Sequence, residues 1–189
     1  MQQLEIVFGG QGGQGVRLAS SLLGHACALA GRQVASSAAY GPEVRGSYTR
    51  AEVIVSDEMI IYPRVLQPNI LIALSQEAYN RSSGEVQPGG LILYEAEAVS
   101  PTDTVRAPQY AVPAIRMATE VGDPGAANMV MLGALVGCTG VIDLERLKGV
   151  LPETRRRSNE VALEKGFYWA IEHCRDIFIG DIRECQTSR

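Results

Sequence analysis

The sequence predicts a three-layer α/β/α sandwich with a mostly parallel sheet, a Rossmann-like first crossing and a helical C-terminal third. A short apolar run, Leu4–Phe8, leads through a glycine-rich turn into a helical run, Val16–Ala30. Later apolar runs of strand length alternate with helical stretches, which is typical of a sheet covered by crossover helices. After residue 112 the strand-like runs end and helical periodicity dominates.

Five further strands are expected after the first one. Gly31 ends the first helix, because glycine readily adopts the left-handed conformation found at helix C-termini. Turn residues such as Ser56-Asp57-Glu58 and Gly89-Gly90 bound the strands that follow. In chain order, these strands are Gln33–Ala38, Ala51–Val55, Ile70–Leu74, Leu91–Tyr94, and either Thr104–Ala107 or Tyr110–Val112.

Four helices are expected in the C-terminal third. The second is strongly apolar and is predicted to be buried. Asp143 is a suitable N-cap for the third, and Pro152 separates the third from the fourth. These helices are Pro113–Val121, Ala126–Val136, Leu144–Leu151 and Glu153–Arg175. The apolar side of the last one is predicted to comprise Val161, Phe167, Tyr168 and Ile171.

Composition and charge indicate an ordinary globular protein, and the 189 residues suit one domain spanning 1–189. The 17 basic and 21 acidic residues give a net charge of −4, which argues against a general nucleic-acid or membrane-surface binder. Neither a secretory signal nor a run of about 18 apolar residues is present, so we expect no membrane span and a cytoplasmic location. The cluster Arg155-Arg156-Arg157 is more consistent with a solvated helix face or a partner contact than with an anion site.

The cysteine and histidine residues do not form a metal-binding pattern. The four cysteines, Cys27, Cys138, Cys174 and Cys185, are widely spaced, and only two histidines are present. Zinc and iron–sulfur sites need clustered ligands, so we expect no metal site within this chain. The adjacent pair His173-Cys174 would point about 100° apart on a helix, so it does not predict Cys–His chemistry.

The seven residues Gly9–Gly15 form the most informative motif. Residues 10–15 fit the dinucleotide pattern G-x-G-x-x-G between a strand and a helix. A nicotinamide or flavin dinucleotide site also needs an acidic residue at the end of the second strand, and no carboxylate occurs there before Glu43. A P-loop is excluded because no Gly-Lys-Ser/Thr follows. A dinucleotide site is therefore the least favoured alternative, and it predicts NAD binding by the isolated chain. Two interpretations are favoured over it: a loop whose N–H groups bind a phosphate, and a tight turn that needs only the conformational freedom of glycine.

A second motif, Tyr40–Ser47, follows the second predicted strand. On this fold it emerges at the same edge of the sheet as the glycine loop. Its functional candidates are Glu43, Arg45 and Ser47. The alternative is an ordinary exposed loop with a weak local ion pair. Because two glycine-rich loops converge at one edge, we favour a shared site. This site comprises Gly12, Gly13, Gln14, Gly15, Glu43, Arg45 and Ser47.

Together these motifs resemble the gamma subunits of 2-oxoacid:ferredoxin (acceptor) oxidoreductases. The resemblance continues through Ala51–Glu58, Pro68–Gln76 and Ala127–Ala134, and it covers nearly the whole chain. It departs from the family pattern at Asn69, where Asp is more common. The sequence Gly-Pro-Glu-Val-Arg-Gly resembles the 2-oxoglutarate branch more than the pyruvate branch. Pyruvate enzymes commonly have Arg at the position of Gln11 and Gly-Ala-Pro after the second-motif Arg.

The resemblance implies a subunit of an enzyme that decarboxylates a 2-oxoacid on thiamine diphosphate, passes electrons through iron–sulfur clusters to ferredoxin or another acceptor, and forms an acyl-CoA. Alpha and beta subunits would hold those cofactors, with a ferredoxin-like delta subunit as a further candidate partner. The chain alone is then expected to be inactive, to carry no cofactor and to contain no catalytic residue. Its loops would bind coenzyme A phosphates or, in the alternative, serve only assembly.

Overall fold

The computed structural model describes residues 3–40 and 47–174. The predicted alternation of strands and helices is present, followed by a helical C-terminal part. The strands are β1 (Leu4–Gln11), β2 (Gln33–Tyr40), β3 (Tyr48–Ser56), β4 (Ile70–Ala73), β5 (Leu91–Glu95) and β6 (Gln109–Val112). The helices are α1 (Val16–Leu29), α2 (Gln76–Ser82), α3 (Ala114–Glu120), α4 (Ala127–Thr139), α5 (Leu144–Gly149) and α6 (Arg156–His173).

The six strands form one sheet in the order β2-β3-β1-β4-β5-β6. Strands β1, β4, β5 and β6 are parallel, and β3 is antiparallel to both of its neighbours, β1 and β2. Since β3 is the single reversed strand among these six, the predicted mostly parallel sheet is confirmed. The carboxyl ends of β1 and β2 therefore lie at the same edge, where β3 begins.

The two faces of the sheet carry separate apolar layers. Phe8, Ile72 and Leu93 point into the larger layer, together with α1 and α4. The intervening residues Val7 and Leu71 point to the opposite face, where they pack against α2. Successive side chains of a strand point to opposite faces, so a strand buried on both sides must be apolar throughout. The arrangement confirms the three-layer α/β/α sandwich.

One helix was not expected from the sequence, and the position of the sixth strand is now decided. Helix α2 was not predicted, because seven residues are too few for helical periodicity to stand out. It begins after Ser75, whose side-chain oxygen accepts a hydrogen bond from the Ala78 N–H at 3.3 Å. The sixth strand is Gln109–Val112, so the alternative at Thr104–Ala107 is wrong.

The predicted boundaries of the last two helices also change. Asp143 is the N-cap residue of α5, but its side chain makes no capping hydrogen bond and instead pairs with Arg146 at 3.2 Å. Helix α6 starts at Arg156 rather than Glu153, because Arg155 has a left-handed backbone with φ 56°. The predicted end of this helix at Arg175 lies outside the described residues.

The predicted apolar side of α6 is wrong in most of its members. Val161, Tyr168 and Ile171 are 37%, 59% and 43% exposed. Phe167 is partly buried against the core. The side of α6 that faces α4 contains small residues, among them Ala162, Gly166 and Ala170. Hydrophobic spacing did not identify the buried side of α6, because main chain contacts main chain where the two helices cross.

The contact between α4 and α6 depends on glycine at the crossing. A Cβ on Gly166 would overlap the carbonyl oxygen of Val130, and one on Gly133 would overlap that of Leu163. Helix α4 is nearly completely buried, as its apolar sequence predicts. The two helices can pack this closely only where neither has a side chain.

We expect Gly166→Ala to destabilise the fold by about 2 kcal/mol, despite the better helix propensity of alanine, because the new methyl must push the helices apart. Urea unfolding of the purified chain measures this change. Gly149→Ala is the matched control, since a Cβ at Gly149 meets no atom within 4 Å. Equal unfolding midpoints for the two variants would contradict the close backbone contact.

Candidate functional site

The glycine loop connects the end of β1 to the start of α1. Strand β1 ends at Gln11, and α1 begins at Val16. Gly13 has φ 103° and Gly15 has φ 72°, conformations that cost other residues about 1–2 kcal/mol. These two positions therefore require glycine on conformational grounds alone.

The side chain of Gln14 holds the first half of the loop. Its Oε1 accepts a hydrogen bond from the Gln11 N–H at 2.7 Å, and its Nε2 donates to the Leu74 carbonyl at 3.1 Å. The Gln14 N–H donates to the Gln11 carbonyl at 3.0 Å. Sequence reasoning placed Gln14 among the ligand-contact candidates. In the structure its amide joins the loop to the residue that follows β4.

The second half of the loop presents unpaired backbone donors. Within residues 3–40 and 47–174, no hydrogen bond involves the N–H groups of Gly13, Gly15 or Val16. The N-cap residue Gly15 has no side chain to bond them, and the first turn of α1 contains no acidic residue. Helix N-termini carry partial positive charge and usually attract acidic side chains. No acidic side chain of the described first turn offsets this charge.

Arg17 adds positive charge to the same turn. It is the second residue of α1, and its side chain is exposed. Sequence reasoning did not single it out. The available signal was a basic residue in a first helical turn, where the helix dipole disfavours a positive side chain. Such a residue fits a turn whose negative partner comes from outside the chain.

Ser47 lies beside the glycine loop, as the sequence-based argument expected. The Gly12 N–H donates to the Ser47 carbonyl at 2.9 Å. The pairing of β1 with β3 places Gln11 opposite Tyr48, so the contact continues the sheet by one residue. The other two second-motif candidates, Glu43 and Arg45, lie outside the described residues. The structure therefore brings Gly12, Gly13, Gln14, Gly15 and Ser47 to one edge of the sheet.

Asn128 is a neighbour of the loop that sequence reasoning did not predict. It is the second residue of α4 and only 4% exposed. Its Nδ2 donates to the Gly15 carbonyl at 3.2 Å. A Cβ on Gly15 would overlap this amide. The signal in the sequence was a polar residue in an otherwise apolar buried helix, which implies a specific hydrogen-bond partner.

The basic residues near the start of β3 are already engaged within the chain. Arg50 donates to Glu52 at 2.9 Å and to Glu85 at 2.7 Å. Burial opposes its charge, but these carboxylates outweigh burial and raise the pKa of Arg50. The Arg81 guanidinium lies 4.7 Å from the ring centre of Tyr48 and pairs with Glu77. Arg17 differs from Arg50 and Arg81 in this respect, because the described residues give it no carboxylate partner.

The cysteines contribute no ligand cluster in the part of the chain that the structure describes. Within it, no group of three or more His, Cys, Asp or Glu side chains lies close enough to hold a metal ion. Burial raises the pKa of the Cys27 thiol to about 11, so this thiol stays protonated and unreactive. Cys138 and Cys174 are each 2% exposed, and their mutual hydrogen bond together with burial raises the pKa of Cys138.

The family of the chain follows from comparison with known proteins. A model for pyruvate ferredoxin/flavodoxin oxidoreductases matches residues 5–168. The chain belongs to this family. It is 39% identical over 177 residues to the 2-oxoglutarate synthase subunit KorC of Methanocaldococcus jannaschii, covering 89% of this chain and 94% of the relative.

Solved structures agree with this assignment. The gamma subunit of keto/oxoacid ferredoxin oxidoreductase from Geobacter sulfurreducens PCA is 33% identical, with a TM-score of 0.81, covering 91% of this chain and 98% of that one. The 2-oxoglutarate:ferredoxin oxidoreductase of Magnetococcus marinus, solved with 2-oxoglutarate, coenzyme A and succinyl-CoA, is 26% identical with a TM-score of 0.82. The match covers 91% of this chain and 32% of that polypeptide. The resemblance to gamma subunits is confirmed.

No helix within the described ranges is both long and apolar enough to cross a bilayer.

We expect Gln14→Ala to destabilise the chain by about 1–2 kcal/mol, because it removes two hydrogen bonds that hold the loop. Thermal or urea unfolding measures the loss. Gln33→Ala, at an exposed position of β2, is the control and should stay within about 0.5 kcal/mol of the parent protein. A Gln14→Ala variant as stable as the control would show that the amide does not hold the loop.

Proposed function

We propose that the chain is the gamma subunit of a 2-oxoacid:ferredoxin or acceptor oxidoreductase that acts on 2-oxoglutarate, and that its glycine loop forms part of the coenzyme A site. The observation that carries the site assignment is the set of N–H groups at Gly13, Gly15 and Val16, which have no hydrogen-bond partner among the described residues. Coenzyme A bears a diphosphate and a 3′-phosphate. Backbone donors at a helix N-terminus are suitable partners for such groups.

In this proposal the loop binds phosphate without taking part in the chemistry. Phosphate oxygens accept hydrogen bonds from the three N–H groups, and the dipole of α1 stabilises the negative charge. Arg17 adds a cation at the same turn, and Arg45 and Ser47 complete the site from the second motif. Glu43 lies in that motif as well, but we assign it no proton-transfer role.

The choice of 2-oxoglutarate is supported by two relatives. The Methanocaldococcus jannaschii relative is a 2-oxoglutarate synthase subunit, and the Magnetococcus marinus enzyme holds 2-oxoglutarate and succinyl-CoA. The proposed complex oxidises the 2-oxoacid, releases CO₂, transfers two electrons to ferredoxin or another acceptor and joins the acyl group to coenzyme A. Thiamine diphosphate supplies the decarboxylation chemistry in alpha and beta subunits, and iron–sulfur clusters carry the electrons. We place the complex in the cytoplasm.

A second surface supports the role as a subunit. The segment 57–69 exposes Met59 (83%), Ile61 (91%) and Leu66 (70%) at the edge of the sheet opposite the glycine loop. Its end is fixed, because the Glu5 carboxylate accepts hydrogen bonds from the N–H groups of Leu66 and Gln67 at 2.8 and 3.2 Å. We assign this apolar surface to contact with a partner subunit of the complex.

The assembly-only alternative makes a different prediction for the loop. In that case the glycines serve close approach of a neighbouring subunit, and changing them alters assembly without altering the use of coenzyme A. The apolar segment 57–69 lies at the edge of the sheet opposite the glycine loop. Subunit assembly and the use of coenzyme A can therefore be measured independently.

We expect Gly13→Ala to raise the KM for coenzyme A of the assembled complex about fivefold or more, with kcat at saturation retained. A Cβ at Gly13 meets no atom within 4 Å, so the change acts by forcing the backbone away from φ 103° and turning the N–H groups. Steady-state kinetics with varied coenzyme A provides the measurement, and subunit content is determined on the same samples.

Gly31→Ala is the matched control for this experiment. Gly31 has φ 84° and equally open space, but it lies between α1 and β2 at the other edge of the sheet. The Gly31→Ala substitution imposes the same kind of backbone strain at a position away from the glycine loop. An unchanged KM in Gly13→Ala would contradict the coenzyme A assignment, and a loss of subunit content at normal KM would favour assembly.

A further inference from the structure

The N-terminus of α4 lies directly against the N-terminus of α1. Asn128 makes this contact through its side-chain amide, whose Nδ2 donates to the Gly15 carbonyl at 3.2 Å. Its Oδ1 accepts from the Met129 N–H at 3.0 Å. Both ends of the amide are therefore used, and at 4% exposure the side chain is screened from competing water.

The Gly15 carbonyl belongs to the same peptide unit as the Val16 N–H. A peptide unit is planar and trans, so its carbonyl and its N–H point in opposite directions and turn together. The Ala19 N–H also donates to this carbonyl, at 3.0 Å. Asn128 adds a second donor, and two donors on one carbonyl define the plane of the peptide. The direction of the Val16 N–H is thereby fixed.

The two halves of the glycine loop are held by different elements. Gln14 and the Ser47 carbonyl hold the first half, through hydrogen bonds to Gln11 and Gly12. In the second half, Gly15 has no side chain and α1 has no side-chain cap. Among the described residues, Asn128 supplies the side-chain hydrogen bond to this half of the loop.

We infer that Asn128 is a positioning residue for the loop, which aims the Val16 N–H at the anion by fixing the Gly15 peptide. The inference rests on the proposed function for its effect on coenzyme A, and on geometry alone for its effect on the loop. Asn128 itself does not touch the ligand.

Asn128→Asp separates positioning from simple support of α4. The carboxylate retains the acceptor for the Met129 N–H, and its charge is favourable at a helix N-terminus. It loses the donor to Gly15 and sets an oxygen against the Gly15 carbonyl. If Asn128 only stabilised α4, the aspartate variant would behave like the parent protein. Asn128→Ala, which removes both hydrogen bonds, is measured beside it.

The assembled complex carrying each variant is studied by hydrogen exchange of the peptide that contains residues 12–19, by steady-state kinetics with varied coenzyme A, and by thermal unfolding. Asn159→Ala is the control. Asn159 is also buried, at 7% exposure, and its Nδ2 lies 3.5 Å from the Thr154 carbonyl, near the start of α6. We expect this control to change thermal stability alone.

We expect Asn128→Asp to speed exchange of the Ala19 amide, which is hydrogen-bonded to the Gly15 carbonyl, about fivefold, the effect of losing one buried hydrogen bond. We expect the KM for coenzyme A to rise by a similar factor at unchanged kcat. Exchange and KM equal to those of the parent complex would overturn the inference. Faster exchange with an unchanged KM supports positioning and refutes the coenzyme A assignment. If the KM for coenzyme A rises in Gly13→Ala but not in Asn128→Asp, positioning by Asn128 is refuted and the coenzyme A assignment is retained.

Discussion

The reversed strand β3 determines which residues lie beside the glycine loop. It lies between β2 and β1 and is antiparallel to both. The chain therefore leaves β2 and enters β3 at the edge where β1 ends. The register then places Tyr48 opposite Gln11, and the next residue back, Ser47, receives the Gly12 N–H. A shift of this register by one residue would exchange the two faces of β3 and remove the pairing of Gly12 with Ser47.

The local pattern of the sequence predicted most of the strands, the buried helix α4 and the edge that carries the motifs. It did not predict the direction of β3, because strand direction depends on which neighbours pair and not on periodicity. The exposed side of α6 was misjudged for a related reason. At the glycine crossing its partner surface is main chain, so small residues, Ala162, Gly166 and Ala170, are prominent among its buried positions. Hydrophobic spacing does not reveal such a contact.

The candidate site was predicted in part. Glycine at positions 13 and 15 is explained by positive φ, which sequence reasoning anticipated as a requirement of the turn. Asn128 was missed because it lies 113 residues from Gly15 in the chain, and nothing local connects the two. The pattern also could not distinguish a glutamine that contacts a ligand from one that holds the loop. Gln14 is committed to Gln11 and Leu74.

The close approach of α4 and α6 connects the crossing of these helices with the glycine loop through a single element. At Gly133 and Gly166 the two helices meet main chain to main chain, so an added methyl group has no room. Helix α4 also carries Asn128, which donates to the Gly15 carbonyl. The same helix therefore supplies both a glycine contact with α6 and a buried hydrogen bond to the loop.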